Sequence, residues 1–313
     1  MKRIAPHSLL ALALLLTGSV AQAENPFIGR WALTIPDGAA GWLGIEEKDG
    51  ALKGGLLWAV GSVTPVQDVK LEGDKLVVKR SATETITATA TGNDLKLTDV
   101  KTGPDGKELN HADFTGKRLP ALPPAPDLSK VKFGEPINLF NGKDLTGWRL
   151  LDEKADNGWS VQDGSLLNRV EKGKHCGNLR TDREFSDFNL KLETRTQKDS
   201  NSGIFLRGRY EVQVAETFGK PLDPHNMGAL YSRIMPSVAA EKPMGEWQTF
   251  DITFVDQHVT VVLNGQKIID NQPVLGCTGG ALTSDEASPG PLYLQGDHSN
   301  IDYRNIVIRP VVK

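Results

Sequence analysis

Residues 203–213 read Gly-Ile-Phe-Leu-Arg-Gly-Arg-Tyr-Glu-Val-Gln and set Arg207, Arg209, Glu211 and Gln213 at every second position. Side chains alternate across a strand. A strand here therefore puts Ile204, Leu206, Tyr210, Val212 and Val214 on one face and those four polar groups on the other. An ordinary solvated face shows Thr, Ser and Lys. A row of guanidinium, carboxyl and amide groups fits either a solvated sheet face or a groove that reads hydroxyls, because together they donate and accept in fixed directions. A second stretch, LYLQGDHSNIDYRNIVI at 292–308, reads as two strand runs joined by a polar turn. It gathers Gln295, Asp297, His298 and Arg304, and taken alone it describes the decorated edge of a sheet.

Several chemistries are open to these residues. Glu211 and Glu216 are five apart, so a regular strand points them to opposite faces and only a bulge brings them together. The run EVQVAE is similar to the bulged Glu-x-Asp-x-x-Glu strand of laminarinase and lichenase sandwiches, where paired carboxylates perform retaining hydrolysis. Here Gln213 stands at the central Asp position, and an amide cannot act as that charged partner. No His-x-His, His-Glu-x-x-His, Cys-x-x-Cys or EF-hand spacing occurs, so no cofactor is expected. A divalent metal held by Glu211, Asp297 and His298 from separate loops stays open. No Gly-x-Ser-x-Gly supports a Ser-His-Asp triad. His175 in KHCG and His225 in DPHNMG sit in loops that could rim a site.

The elements that must carry these residues are strands. The 313 residues are 39% hydrophobic and 24% charged, a globular composition, and the net charge of -3 argues against a nucleic-acid partner. Residues 119–127, LPALPPAPD, cannot join a ladder or continue a helix, so 119–132 reads as a linker. Before it, short alternating runs over 24–118 predict a small antiparallel barrel or sandwich of calycin-like type, with hairpin turns at Glu72-Gly73-Asp74 and Gly92-Asn93-Asp94. After it, alternating runs over 133–313 predict an all-β, two-sheet jelly-roll sandwich. The first residues have a basic start, a short apolar run and Ala-Gln-Ala at 21–23. They read as a signal peptide cut after Ala23, implying a periplasmic or secreted protein. No later segment has the roughly 18 apolar residues of a membrane span. Export permits a disulfide between Cys176 and Cys277.

The C-terminal part resembles the 3-keto-disaccharide hydrolase domain family, a branch of the concanavalin A-like lectin/glucanase sandwiches. The matching stretches run in order over 133–313: LFNGKDLTGW, WSVQDGSL, NSGIFLRGRYEVQV, GALY, GEWQTFDI, VVLNGQKIID and GPLYLQGDHSNIDYRNIVI. The extra residue in Leu-Gln-Gly-Asp-His shifts the His298 turn by one relative to that family. The resemblance implies cleavage of a glycoside whose sugar carries a ketone at carbon 3. The ketone acidifies the hydrogen on carbon 2, a base removes it, the group on carbon 1 is expelled, and water adds to complete a net hydrolysis. Such a site needs a base, an acid and donors for the enolate oxygen. Glu211 and His298 are the candidate base and acid in either order, and Arg207 and Arg304 the candidate fixed donors. Gln213, Gln295 and Arg209 suit sugar hydroxyls, and Tyr231 and Trp247 offer flat surfaces for a ring. Beside the 203–213 stretch, 292–308 becomes the second wall of one groove. A sugar 3-dehydrogenase is the implied supplier of substrate. A non-catalytic carbohydrate-binding protein, and a retaining glycosidase using Glu211 and Glu216, are the alternatives.

Overall fold

A computed structural model describes residues 25–66, 68–171 and 174–312. The cleavage expected after Ala23 lies outside them. Among the described residues every regular element is a strand, and no helix is long and apolar enough to cross a membrane.

Residues 29–118 form one antiparallel sheet of nine strands. Four strands step outward from Gly29–Thr34 and end at Thr64–Val66. The remaining five return so that Glu108–Arg118 pairs with Gly29–Thr34 on its other side. The sheet curls until Ala51–Trp58 approaches Val69–Glu72, and Trp31, Leu43, Leu76, Ile86, Leu97 and Phe114 fill its interior. Both expected hairpins are present, with Glu72 paired to Lys75 and Thr91 to Asp94. Gly73 and Gly92 take φ of 64° and 59°, the left-handed conformation that such two-residue turns demand and that glycine adopts without strain.

Beyond the proline-rich stretch, two antiparallel sheets pack face to face, one of eight strands and one of five. The smaller runs, edge to edge, Trp148–Leu150, Leu179–Phe185, Gly290–Leu294, Asn201–Leu206 and Tyr210–Ala215. Alternation decides what lies between the sheets. Ile204, Tyr210, Val212 and Leu294 from the smaller sheet meet Leu190, Phe254, Val261 and Tyr303 from the larger in one apolar core. The odd-numbered residues Gly203, Phe205, Glu211, Gln213 and Tyr293 therefore face outward.

Two connections differ from the sequence reading. Residues 201–215 are not one strand but a hairpin: Leu206 pairs with Tyr210, and the chain reverses at Arg207 and Gly208, both with positive φ, 53° and 67°. Residues 292–308 are not an edge hairpin either. Gly290–Leu294 belongs to the smaller sheet and Ile301–Pro310 to the larger, so residues 295–300 cross between the sheets.

Barrel and sandwich meet through residues 274–288. Cys277 packs in an apolar cluster with Trp42, Leu57 and Leu119 of the barrel side. Arg233 lies over the Trp42 ring at 4.4 Å and donates to Cys277 O. Arg30 pairs with the buried Glu286 carboxylate at 3.2 Å, and Ser284 Oγ donates to Leu33 O. Cys277 and Cys176 are both free thiols, which corrects the expected disulfide. Cys277 is sealed in this interface, whereas Cys176 sits beside Gly158 and Arg169 O.

Candidate active site

The outer face of the smaller sheet carries a polar patch in two rows. Register pairs Tyr293 with Phe205 and Phe205 with Glu211, and the Tyr231 N–H donates to Glu211 O, extending that row by an edge segment. In the next row Gln295 N–H donates to Gly203 O and Gly203 pairs with Gln213. Glu211 leans across Gly203: a Cβ built there would lie 2.3 Å from Glu211 Oε1. Glycine inside a strand often marks such a close approach, and here the missing side chain opens a slot between Gln213 and Gln295.

Neighbours close the patch on several sides. Tyr293 stacks on Phe205 with centroids 3.9 Å apart and donates its hydroxyl to Gly280 O. Thr278 Oγ1 accepts the Glu211 backbone N–H. The crossing loop brings Asp297 over Glu211, with His298 at the exposed rim, its Nδ1 3.4 Å from Asp297 Oδ1. His175 joins them through a 3.1 Å hydrogen bond between Nδ1 and Asp297 O.

The electrostatics follow from this enclosure. Glu211 is 4% exposed. Burial, and then the negative charge of Asp297, push its carboxyl up to about 8. With its amide oriented so that both ends are satisfied, Gln213 donates to Glu211 Oε1 at 3.0 Å. Gln295 Oε1 and Asp297 Oδ1 are buried acceptors that receive no hydrogen bond from the described residues. Buried acceptors are nearly always paired, so these two atoms are candidate contacts for a ligand's O–H groups, with His298 Nδ1 also within 3.4 Å of Asp297 Oδ1.

Of the residues singled out from sequence, Glu211, Gln213, Gln295 and Tyr231 come together, with His298 at the edge. Four do not. Arg207 donates to Glu286 O, Ser288 O and Gln257 Oε1, and Gln257 in turn donates to the hydroxyl of Tyr210, a core residue. Its guanidinium is thus on the far side of the sheet from Glu211. Arg209 donates to Arg207 O, Ser288 O and Pro289 O. The turn at 207–208 takes both arginines out of the outward row and makes them braces for the 286–289 loop. Arg304 and Trp247 lie on the outer face of the opposite sheet, where Arg304 pairs with Glu193 and covers the Trp247 ring at 3.9 Å. Because 295–300 crosses between sheets, Arg304 cannot be a second wall beside Glu211.

The strand Tyr210–Ala215 pairs without a register shift, so no bulge turns Glu216 toward Glu211. Glu216 instead lies near Lys220, at 3.8 Å. The retaining pair is not formed. Among the described residues, no group of three or more His, Cys, Asp or Glu is arranged to hold a metal. A separate cavity of about 700 Å³ lies on the barrel among Trp42, Gly44, Gly54, Gly55, Arg30 and Leu275, away from Glu211. Sequence reasoning missed Gly203, whose signal was a glycine within an apolar strand run, and the Phe205–Tyr293 stack, which needed the register.

Two antiparallel sheets around one apolar core, with a polar patch on the outside of the smaller, make the C-terminal part an all-β two-sheet sandwich. Within that class the chain belongs to the 3-keto-alpha-glucoside-1,2-lyase-like domain family, whose model matches residues 135–309. It is 24% identical over 166 residues to the 3-keto-disaccharide hydrolase of Bacteroides thetaiotaomicron, a match spanning 43% of this chain and 57% of that relative. It is also similar to two crystal structures of candidate glycosyl hydrolases from Parabacteroides distasonis. One is 29% identical, with 62% of this chain and 94% of that chain covered and a TM-score of 0.47. The other is 22% identical, with 56% and 94% covered and a TM-score of 0.47.

Proposed function

We propose that this chain is a glycosidase-like enzyme that cleaves 3-keto-glycosides by elimination, with Glu211 as the base at carbon 2. The observation that carries this reading is one carboxyl group, buried and with its proton affinity raised to about 8, in a patch where the buried Gln295 Oε1 receives no hydrogen bond from the described residues. A carboxylate held out of water is a stronger base than a solvated one, and its value lies close to a working pH. Direct glycoside hydrolysis would need a second carboxyl group placed across the scissile bond, and Glu216 does not take that position.

In the first step the C2 proton passes to Glu211, and its bonding pair delocalises into the C3 carbonyl as an enolate. The pair then forms the C1–C2 double bond as the C1–O bond breaks, and water adds to C1 of the enone. Gln213 keeps Glu211 oriented. Gln295 and Asp297 accept hydrogen bonds from the sugar's hydroxyls, and His298 lines the entrance through Asp297. The family and the Bacteroides relative's activity support this substrate class. The ketone must come from an oxidation at carbon 3 of an ordinary glycoside, so a sugar 3-dehydrogenase is the reaction upstream, and export is the setting we propose.

The test is to incubate the purified protein with a 3-keto-glucoside and with the matching unoxidised glucoside. Cleavage of the 3-keto compound alone is expected. Release from the plain glucoside alone would sink the elimination, and saturable binding without consumption of either would make the protein a carbohydrate-binding sandwich.

A further inference from the structure

Tyr231, the edge neighbour of Glu211 on the outer face, packs edge-on against the His225 ring with centroids 4.9 Å apart. Both ring nitrogens of His225 are engaged. Nδ1 shares a hydrogen bond with Asp223 Oδ1 at 2.5 Å, and Nε2 one with Ser62 Oγ at 2.8 Å. Ser62 belongs to the barrel, 163 residues earlier in the chain. It arrives on the turn after Ala51–Trp58, which three further contacts fasten over the sandwich. Gly280 N–H donates to Ala59 O, Val63 N–H donates to Ser232 Oγ, and Gly61 packs so tightly on Gly279 that a Cβ there would lie 2.2 Å from Gly61 O. Gly280 is also the residue whose carbonyl holds Tyr293 in the Glu211 row. The barrel therefore reaches the same patch.

We propose that Ser62, His225 and Asp223 form a proton relay that acts as the acid for the departing group, so that the barrel completes the active site. This rests on the elimination reading above. Asp223 is kept below the usual carboxylate range by its side-chain and backbone hydrogen bonds from His225, and it fixes which His225 nitrogen faces Ser62. As the C1–O bond breaks, its electron pair goes to the glycosidic oxygen, which takes the Ser62 hydroxyl proton. Ser62 recovers a proton from Nε2 of the protonated imidazole. The neutral imidazole then accepts, through Ser62, a proton from the water that adds to C1.

The arrangement serves proton transfer rather than covalent capture by Ser62. Its neighbouring Val63 N–H, the natural donor to a tetrahedral oxyanion, is already bonded to Ser232. The side chain of Asp223 is 54% exposed, unlike the buried orienting acid of a nucleophilic triad.

An acid's contribution depends on how much help the leaving group needs. The full-length wild type, Ser62→Ala and His225→Gln are compared on methyl 3-keto-glucoside, a poor leaving group, and 4-nitrophenyl 3-keto-glucoside, a good one. For His225→Gln, kcat/KM on the methyl substrate should fall about 100-fold while the nitrophenyl substrate changes by no more than about threefold. Ser62→Ala should show the same split with a smaller loss. Equal losses on both substrates, the signature of a merely structural role, or no loss on either, would overturn the relay. A wild type that consumes neither 3-keto substrate would overturn the elimination reading and the relay with it.

Discussion

The outer faces of the two sheets carry similar side chains. On the smaller sheet they are Glu211, Gln213, Gln295 and Tyr293, and on the larger Glu193, Arg195, Trp247 and Arg304. On the larger sheet the charges around Trp247 have found their opposites: Arg304 pairs with Glu193, Lys191 with Asp251 and Arg195 with Asp302. Arg195 and Arg304 also cover Trp247, with centroid distances of 4.7 and 3.9 Å. On the smaller sheet the Glu211 carboxyl group is covered, burial and the negative charge of Asp297 raise its proton affinity, and the buried Gln295 Oε1 receives no hydrogen bond from the described residues. A polar row with its hydrogen bonds and charges satisfied is finished surface. A buried row left unsatisfied costs stability and is the better candidate for a site.

Glu211→Gln should lower kcat on a 3-keto-glucoside about a thousandfold, the scale of a lost general base. The same substitution should stabilise the fold. The folded protein holds a proton on Glu211 up to about 8, whereas the unfolded chain releases it near 4.5. This group's contribution is therefore fully present below 4.5 and is lost as pH rises through 8. Glutamine removes that penalty, so thermal unfolding at pH 8 should show a variant more stable than the wild type by a few kcal/mol. A variant that is inactive and also less stable at that pH would remove the claim that Glu211 is held at a cost.

Gly203→Ala comes next. Its methyl group would sit 2.3 Å from Glu211 Oε1, so the carboxyl must move. A displacement of that kind should cost about 100-fold in kcat/KM, read in the same assay, and unchanged turnover would show that the slot is not used. If ionised Glu211 is the base, kcat/KM should climb through about 8 to a plateau, and Glu211→Asp should move that limb. The smallest effects belong to the other face. Trp247→Phe and Arg304→Met should leave kcat/KM as it is and reduce stability by no more than about 1 kcal/mol each, the scale of an exposed ion pair or cation–π contact.

Alternation made most of the fold legible, because hairpins and sandwich strands write their burial directly into a period of two. Glu211, Gln213, Gln295 and Tyr231 were legible for the same reason, since each lies within or beside a strand whose parity holds. Arg207 and Arg209 were misread because Gly208 interrupts an apparently continuous run, and the left-handed turn there ends the alternation. Arg304 was misread because residues 295–300 look like a hairpin turn while joining two sheets, and six polar residues carry no mark of which partner strand awaits them. The pairing of Ser62 with His225 had no signal in the sequence at all, because it depends on how barrel and sandwich dock.

Arg207 and Arg209 hold the loop that presents Glu286 to Arg30, and residues 274–288 form the seat on which the barrel rests. That seat follows the barrel in the chain, so during synthesis the barrel leaves the ribosome before the surface it docks on exists. A nascent chain that already holds both the barrel and Glu211 still lacks residues 274–288, so barrel and sandwich can join only after those residues have emerged.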